Sequence, residues 1–407
     1  MLRAGSLCVT FLHKYMTSSS ETKDDISEKS RKLRLLSETF AQYGGVLSKI
    51  SQILVLNDVD NSVFSDCKPF SREKTHNYIV NQLEKNADFF RDIKQFNFEI
   101  YKSGSIGQVY RATTTDDRQI IMKVQYVGLA EQTKQDLYIL DMIMNYLYTE
   151  LTDMKNAVYD IKTKINEELN YDIEKNNQKI VYKAFADDLQ IQIPEIIDNI
   201  CTNKIITMEF MNDYTVLNEF INNSTQEQRN EIGKLIIRFI FTSLFKHGIL
   251  YPDAHYGNFL VKNDASVISI IDFGCIVFIE DQLVNSLKQI LFSLKSNDKT
   301  EFLNIILNLG IVKDNTSEES KDYAFEYFKM QYEPLLVDND DFQFYPEWLD
   351  LVADKNTHLM KEWTCPPNMI YLHKIPYGLY HLLTNLELTC NVGNIINDIF
   401  NSNESKN

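Results

Sequence analysis

The chain has 407 residues, 44% of them apolar and 24% charged, enough for one large core or two coupled ones. A net charge of −16 argues against a nucleic-acid protein, which carries a basic face. Six scattered cysteines without a C-x-x-C pair point to neither a disulfide framework nor a zinc site, and no run of roughly 18 apolar residues predicts a transmembrane helix.

Residues 1–36 read as a disordered or targeting segment. Arg3, His13 and Lys14 stand among serines and threonines, with no acid before Glu21. Such a start is similar to a mitochondrial transit peptide, though with only two firm positive charges it suits a plain disordered tail better. The expected location is therefore mitochondrial or cytoplasmic rather than secreted.

From Ser37 an amphipathic helix is predicted, with Phe40, Tyr43, Leu47, Ile50 and Leu54 on one stripe and Lys49 and Gln52 on its flank. A second helical segment covers 71–92. The period then shortens. Phe96, Phe98, Ile100, Val109 and Tyr110 read as strand around the small-residue turn 102–108, and Ile120–Val124 forms the next strand. Residues 129–149 read as helix. A longer helix follows, its stripe being Met154, Val158, Ile161, Ile165 and Leu169. Strands are expected at Glu195–Ile197 and Lys204–Phe210. Ser224 and Glu227 fit a capping box before a long apolar helix that stops at Gly248. After Gly274 the chain reads as helical to about Phe400, with breaks near Pro334, Pro346 and Pro366-Pro367.

The most informative stretch is Tyr251–Gly274. It holds Asp253, an Asn five residues later at 258, and an Asp-Phe-Gly beginning at Asp272, behind the apolar strand Val267–Ile271. Phosphoryl transfer needs a cradle for phosphates, cations to neutralise charge and acids to hold those cations. Asp272 and Asn258 supply hard oxygen ligands for Mg²⁺, and Asp253 a base or orienting group for an attacking hydroxyl. The plainer reading, in which Asp253 and Asn258 only cap turns, leaves the order and spacing of all three unexplained.

Lys123 lies inside the apolar run Ile120–Val124. A mid-strand lysine usually faces solvent, but this setting also presents a cation to nucleotide phosphates. Such a lysine needs a carboxylate. On a straight helix from Met154, a 100° step puts Glu168 on the buried stripe and Glu174 on the far side, so Glu168 is the first choice. The turn Lys102–Val109 matches the last two glycines of G-x-G-x-x-G-x-V, making Gly104, Ser105, Gly107 and Val109 candidate nucleotide contacts. Glu209, at the end of a strand, marks where an adenine would meet backbone groups.

Taken together these motifs resemble the UbiB/AarF family of atypical kinases. Tyr251–Asn258 is similar to its H-A-D-P-H-P-G-N loop, and Gly104–Ala112 to its alanine-rich loop. Met122–Gly128 is similar to V-K-V-Q-Y-P-G, Glu168–Tyr171 stands at E-x-D-Y with Glu174 as a further acid, and Lys49–Gln52 stands at K-x-G-Q. Residues 369–394 resemble the family's C-terminal helix. The departures are Gly104 for Ala, Asn170 for the Asp of E-x-D, Ser51 for the Gly of K-x-G-Q, and Tyr251 and Ala254 for His and Pro. The resemblance implies ATP with Mg²⁺, Lys49 and Gln52 facing the nucleotide, and a link to quinone or lipid metabolism. A lipid or quinone-precursor small molecule and a peripheral membrane contact are the partners it suggests.

The expected fold class is α+β: a protein-kinase-like two-lobe fold with an N-terminal helical extension over 37–95, an N-lobe over 96–212 and a mostly helical C-lobe over 213–400. Residues 401–407 are expected to be a disordered tail. The expected activity is an atypical kinase or ATPase. A nucleotide-binding pseudokinase scaffold and a Ser/Thr protein kinase are the alternatives, the latter disfavoured by the absence of an Ala-Pro-Glu signature after Gly274.

Overall fold

The computed structural model describes residues 77–79, 81, 91–104, 106–146, 162–163, 165–167, 169–338, 340–353, 357–360, 362–364, 366 and 369–401. The helix expected from Ser37 lies outside the described residues, and so do Lys49, Gln52, Ser105 and Glu168. The chain divides into two compact units: residues up to Lys175 with Ile196–Phe210, and Asn176–Glu195 with Met211 onward.

The first unit is built on an antiparallel sheet in the order β1-β2-β3-β5. Its strands are β1 (Ile93–Ser103), β2 (Gly107–Thr114), β3 (Gln119–Gln125) and β5 (Ile205–Glu209). Period-2 alternation sorts the side chains. Tyr110 and Ala112 of β2, and Ile120, Met122 and Val124 of β3, bury one face together with Ile197, Ile200 and Ile205. The opposite face carries Ile206 and Met208, packed with Tyr171 and Ile196. Only a Met208–Ile196 bridge forms where a strand over Glu195–Ile197 is expected. The β2–β3 turn closes at Asp117, whose φ of 63° is one that Asp tolerates. Helix α1 (Leu129–Tyr146) follows β3.

The straight helix predicted through Leu169 does not continue. The chain turns at Leu169–Asn170, and a separate helix, α2 (Tyr171–Ala184), begins. Asn170 supplies the reason: its Oδ1 accepts from the Asp172 amide at 3.1 Å, an N-cap bond that Asn makes as well as Asp. The buried Gln125 side chain donates to the Leu169 carbonyl at 2.9 Å and holds the break in place.

The second unit has a four-stranded sheet in the order β4-β9-β8-β6, made of β4 (Ile191–Gln192), β6 (Tyr214–Val216), β8 (Phe259–Lys262) and β9 (Ile268–Ile270). Helices α3 (Leu217–Asn223) and α4 (Gln226–His247) precede the small ladder of β7 (Ile249–Leu250) with β10 (Val277–Phe278). The capping box falls one residue later than expected. Thr225, not Ser224, is the N-cap of α4 and pairs reciprocally with Gln228, because Ser224 ends α3 and its hydroxyl donates to the Ile221 carbonyl. Gly248 ends α4 in the left-handed conformation, φ 63°, as expected.

The remainder is mostly helical. It comprises α5 (Asp281–Lys295), α6 (Lys299–Asn308), α7 (Glu318–Gln331), α8 (Glu333–Leu336), α9 (Pro346–Ala353), α10 (Thr357–Met360), α11 (Met369–Asn385) and α12 (Val392–Asn401). Strands β11 (Phe342–Gln343) and β12 (Thr389–Cys390) pair between them. The single C-terminal helix expected over 369–394 is thus two helices, separated by a turn at Glu387, φ 51°, and by β12. Among the described residues no helix is long and apolar enough to cross a membrane.

One close approach in the first unit fixes a residue type. A Cβ on Gly107 would lie 2.5 Å from the Val124 carbonyl oxygen and 2.8 Å from the Tyr171 hydroxyl, whereas one on Gly104 would meet only the Gly107 carbonyl at 3.6 Å. Gly107→Ala is therefore expected to cost about 1–3 kcal/mol and lower the thermal midpoint, with Gly104→Ala near neutral. Parallel melts of the two variants check this.

Candidate functional site

The phosphotransfer candidates fall in both units, and each unit assembles its own share. In the first, antiparallel pairing sets Lys123 between Val109 of β2 and Ile206 of β5. The three therefore share the face on which Tyr171 packs. Lys123 Nζ lies 2.7 Å from Glu174 Oε1 and 5.4 Å from the centroid of the Tyr171 ring. The Glu174 side chain is 2% exposed and that of Lys123 17%, so the pair is largely removed from water.

Glu174, assigned to the far side of a straight helix, does meet Lys123, while Glu168 lies outside the described residues. The break at Leu169–Asn170 resets the helical phase, and Glu174 enters on the first turn of α2, where the helix dipole also favours an acid.

The loop between β1 and β2 is a tight turn. The Gly104 amide donates to the Gly107 carbonyl at 2.8 Å, and Tyr126 binds it twice, through its hydroxyl to the Gly104 carbonyl and its amide to the Ile106 carbonyl. Gly107 is needed for its contact with β3 and Tyr171, a packing reason in addition to the phosphate approach expected of it. Glu209 ends β5 opposite Ile120 with its side chain exposed. Beside it, the Arg111 guanidinium is held between the rings of Tyr101 and Phe210, at 4.3 and 4.0 Å from their centroids. Sequence reading gave no sign of this stack, since its members are far apart in the chain.

In the second unit the β8–β9 hairpin does the assembling. Phe259 pairs with Ile270, and the Ile271 amide donates to the Asn258 carbonyl at 3.1 Å. Asn258 thus enters the hairpin beside the point where Asp272 leaves it. A 3₁₀ turn over Tyr256–Asn258 brings the chain in, with the His255 ring accepting from the Gly257 amide at 3.0 Å. His255 therefore has a structural role within the loop. Asn258 Nδ2 donates to both the carbonyl and the carboxylate of Asp253, each at 3.0 Å. With the amide nitrogen committed to Asp253, the amide oxygen is the atom able to meet a cation. Asp272 Oδ1 accepts from the Gly274 amide at 3.1 Å. The Asp272 carboxylate and the Asn258 amide oxygen are hard donors of the kind that Mg²⁺ takes. Among the described residues no group of three or more His, Cys, Asp or Glu gathers as a metal cluster.

Sequence comparison matches residues 62–306, more than half of the chain, to the ABC1 atypical kinase-like domain. The chain belongs to the ABC1 atypical kinase-like family. It is 24% identical over 399 residues to "Probable serine/threonine-protein kinase abkA" of Dictyostelium discoideum, covering 90% of this chain and 70% of that one. It is 22% identical to "Atypical kinase COQ8, mitochondrial" of Saccharomyces cerevisiae, over 90% of this chain and 75% of the other. "Probable protein kinase UbiB" of Cellvibrio japonicus matches at 24% over 56% of this chain and 42% of its own. Among solved structures, the Mycobacterium tuberculosis protein in "The complex structure of Rv3197-erythromycin" superposes with a TM-score of 0.67 at 21% identity, over 91% of this chain and 95% of that one. The fold is therefore the kinase-like one of this ABC1 family, mixed α and β, with a sheet-rich first unit and a helix-rich second unit.

The Lys123–Glu174 pair yields a stability prediction. Lys123→Met takes the paired cation from a buried carboxylate and should cost about 3–5 kcal/mol, while Lys123→Met with Glu174→Leu should regain much of that loss. Thermal midpoints of the wild type, both single variants and the double variant measure the coupling. An unchanged midpoint in Lys123→Met would mean that the pair contributes nothing.

Proposed function

We propose that the chain is an ATP- and Mg²⁺-dependent atypical kinase or ATPase whose phosphoryl acceptor is a small molecule of quinone or lipid metabolism. The observation that carries the proposal is the Asp253–Asn258–Asp272 arrangement at the mouth of one hairpin, in a chain that also pairs Lys123 with a buried Glu174.

Each residue has a role in this reading. Lys123, held by Glu174, meets the α- and β-phosphates, while Gly104, Ser105, Gly107 and Val109 line the loop over them. The strand end at Glu209 receives the adenine, and Lys49 and Gln52 face the nucleotide. Asp272 and Asn258 hold Mg²⁺, which when bound neutralises the negative charge on the phosphates. Asp253, oriented by Asn258, directs the acceptor hydroxyl and takes up its proton.

The same unit bears on the class of acceptor. Helix α5 begins at Asp281, and the short stretch from Gly274 is already paired as β10 with β7. That leaves little loop to form a platform for a peptide, which favours a small acceptor over a protein one. Near the acid, α11 lies along the catalytic loop: Gly378 faces Ala254, and Asn385 donates to the Tyr256 hydroxyl. The scaffold alternative draws on Asn170 and Ser51, yet Asn170 still caps α2 and so keeps Glu174 in place.

Steady-state ATP turnover with Mg²⁺ tests the proposal. The wild type is expected to turn over ATP, and Asp272→Asn and Lys123→Ala to lose about 100-fold or more. Three equally inert proteins, in the face of nucleotide binding by the wild type, would sink the enzyme reading and leave the scaffold. In that case ATP-Mg²⁺ would still raise the melting temperature by mass action. Phosphorylation of a peptide library would instead favour the protein kinase.

A further inference from the structure

Two side chains hold consecutive carbonyls of the Asp-Phe-Gly segment. The Tyr251 hydroxyl donates to the Asp272 carbonyl at 2.9 Å, and Asn177 Nδ2 donates to the Phe273 carbonyl at 3.0 Å. The donors come from different elements of the second unit: Tyr251 follows β7, and Asn177 lies on α2, one helical turn after Glu174. Tyr251 is 2% exposed and Asn177 7%, so water cannot replace either bond once it is lost.

The surroundings favour these bonds. The Tyr251 ring is packed between Phe239, Phe259 and Phe273, with centroids 5.2, 6.1 and 6.3 Å away. Burial, with Asp272 and Asp253 nearby, raises its phenol well above the ordinary value, so it remains a neutral donor. Phe273 is itself fully buried in the same core. Turning the segment over would swing both carbonyls off their donors and draw Phe273 out of its cluster.

We propose that Tyr251 and Asn177 are positioning residues that lock the Asp-Phe-Gly segment in one conformation, so that Asp272 meets its cation without prior rearrangement. The purpose assigned to the lock rests on the reading of Asp272 as a metal ligand; the lock itself does not. Tyr251 stands where the resembling family has histidine, so here a longer side chain makes the reach.

Amide hydrogen exchange on the full chain, without nucleotide or metal, tests the lock. Peptides covering 270–276 are compared in the wild type, Tyr251→Phe, Asn177→Leu and the double variant. Tyr251→Phe removes one oxygen and keeps the ring, and Asn177→Leu keeps the approximate shape without the donor. Exchange in that segment is expected to quicken about tenfold or more in each single variant and further in the double, with peptides of α4 unchanged. If Asn177→Leu also loosens α4, Tyr251→Phe alone decides. Unaltered exchange at 270–276 in Tyr251→Phe and in the double variant overturns the proposal.

A second readout is Mn²⁺ affinity, followed by electron paramagnetic resonance with a non-hydrolysable ATP analogue present. It should weaken about tenfold in the variants while affinity for the analogue alone holds. Failure of the wild type to bind Mn²⁺ overturns the metal-ligand reading and with it the purpose of the lock. Faster exchange in the variants would still establish the lock itself.

Discussion

The register of one hairpin is the constraint on which the acidic residues of the second unit depend. Phe259 opposite Ile270 places Asn258 and Asp272 at adjacent ends of β8 and β9. Side chains alternate along a strand, so a slip of one residue would send Phe259, Val261, Ile268 and Ile270 out of the core. The burial of these four apolar residues therefore sets the spacing of two polar ones that contribute nothing to the core. Asp253 joins them through Asn258, whose amide reaches both its carbonyl and its carboxylate.

The first unit solves a different problem. A lysine and a glutamate must both be withdrawn from water, which is tolerable only when each satisfies the other. Lys123 is placed by strand pairing and Glu174 by a helix start, and the two converge because Asn170 caps α2 where it does. Gly107 belongs to the same arrangement. Its missing side chain lets β2 press against the Val124 carbonyl and the Tyr171 hydroxyl, next to the face that holds the lysine.

Much of this is legible from residue type and spacing, and some is not. Lys123 within an apolar run, and the order of Asp253, Asn258 and Asp272, need no structure to be noticed, because strand alternation and short loops translate spacing directly into proximity. The placing of Glu174 on the far side, away from Lys123, fails for a specific reason. Helical phase accumulates at 100° per residue, so one capped break upstream moves every later residue to a new face. The capping box read at Ser224 misses by one residue because Ser224 and Thr225 both suit the position, and the end of α3 decides between them. Tyr251 and Asn177 could be suspected only as a substituted position in a motif and a polar residue one turn beyond an acid.

From the order of residues alone come the candidate acids, the lysine, the glycine turn and the alternation of strands with helices, for these depend on local periodicity and spacing. That Glu174 meets the lysine, why Gly107 admits no side chain, and which donors hold the carbonyls of Asp272 and Phe273 depend on contacts between residues distant in the chain. Glu174 lies 51 positions from Lys123, and Asn177 lies 96 from Phe273. Such contacts are selected by core packing and by the need to pair every buried polar group. No local pattern in the chain encodes that requirement.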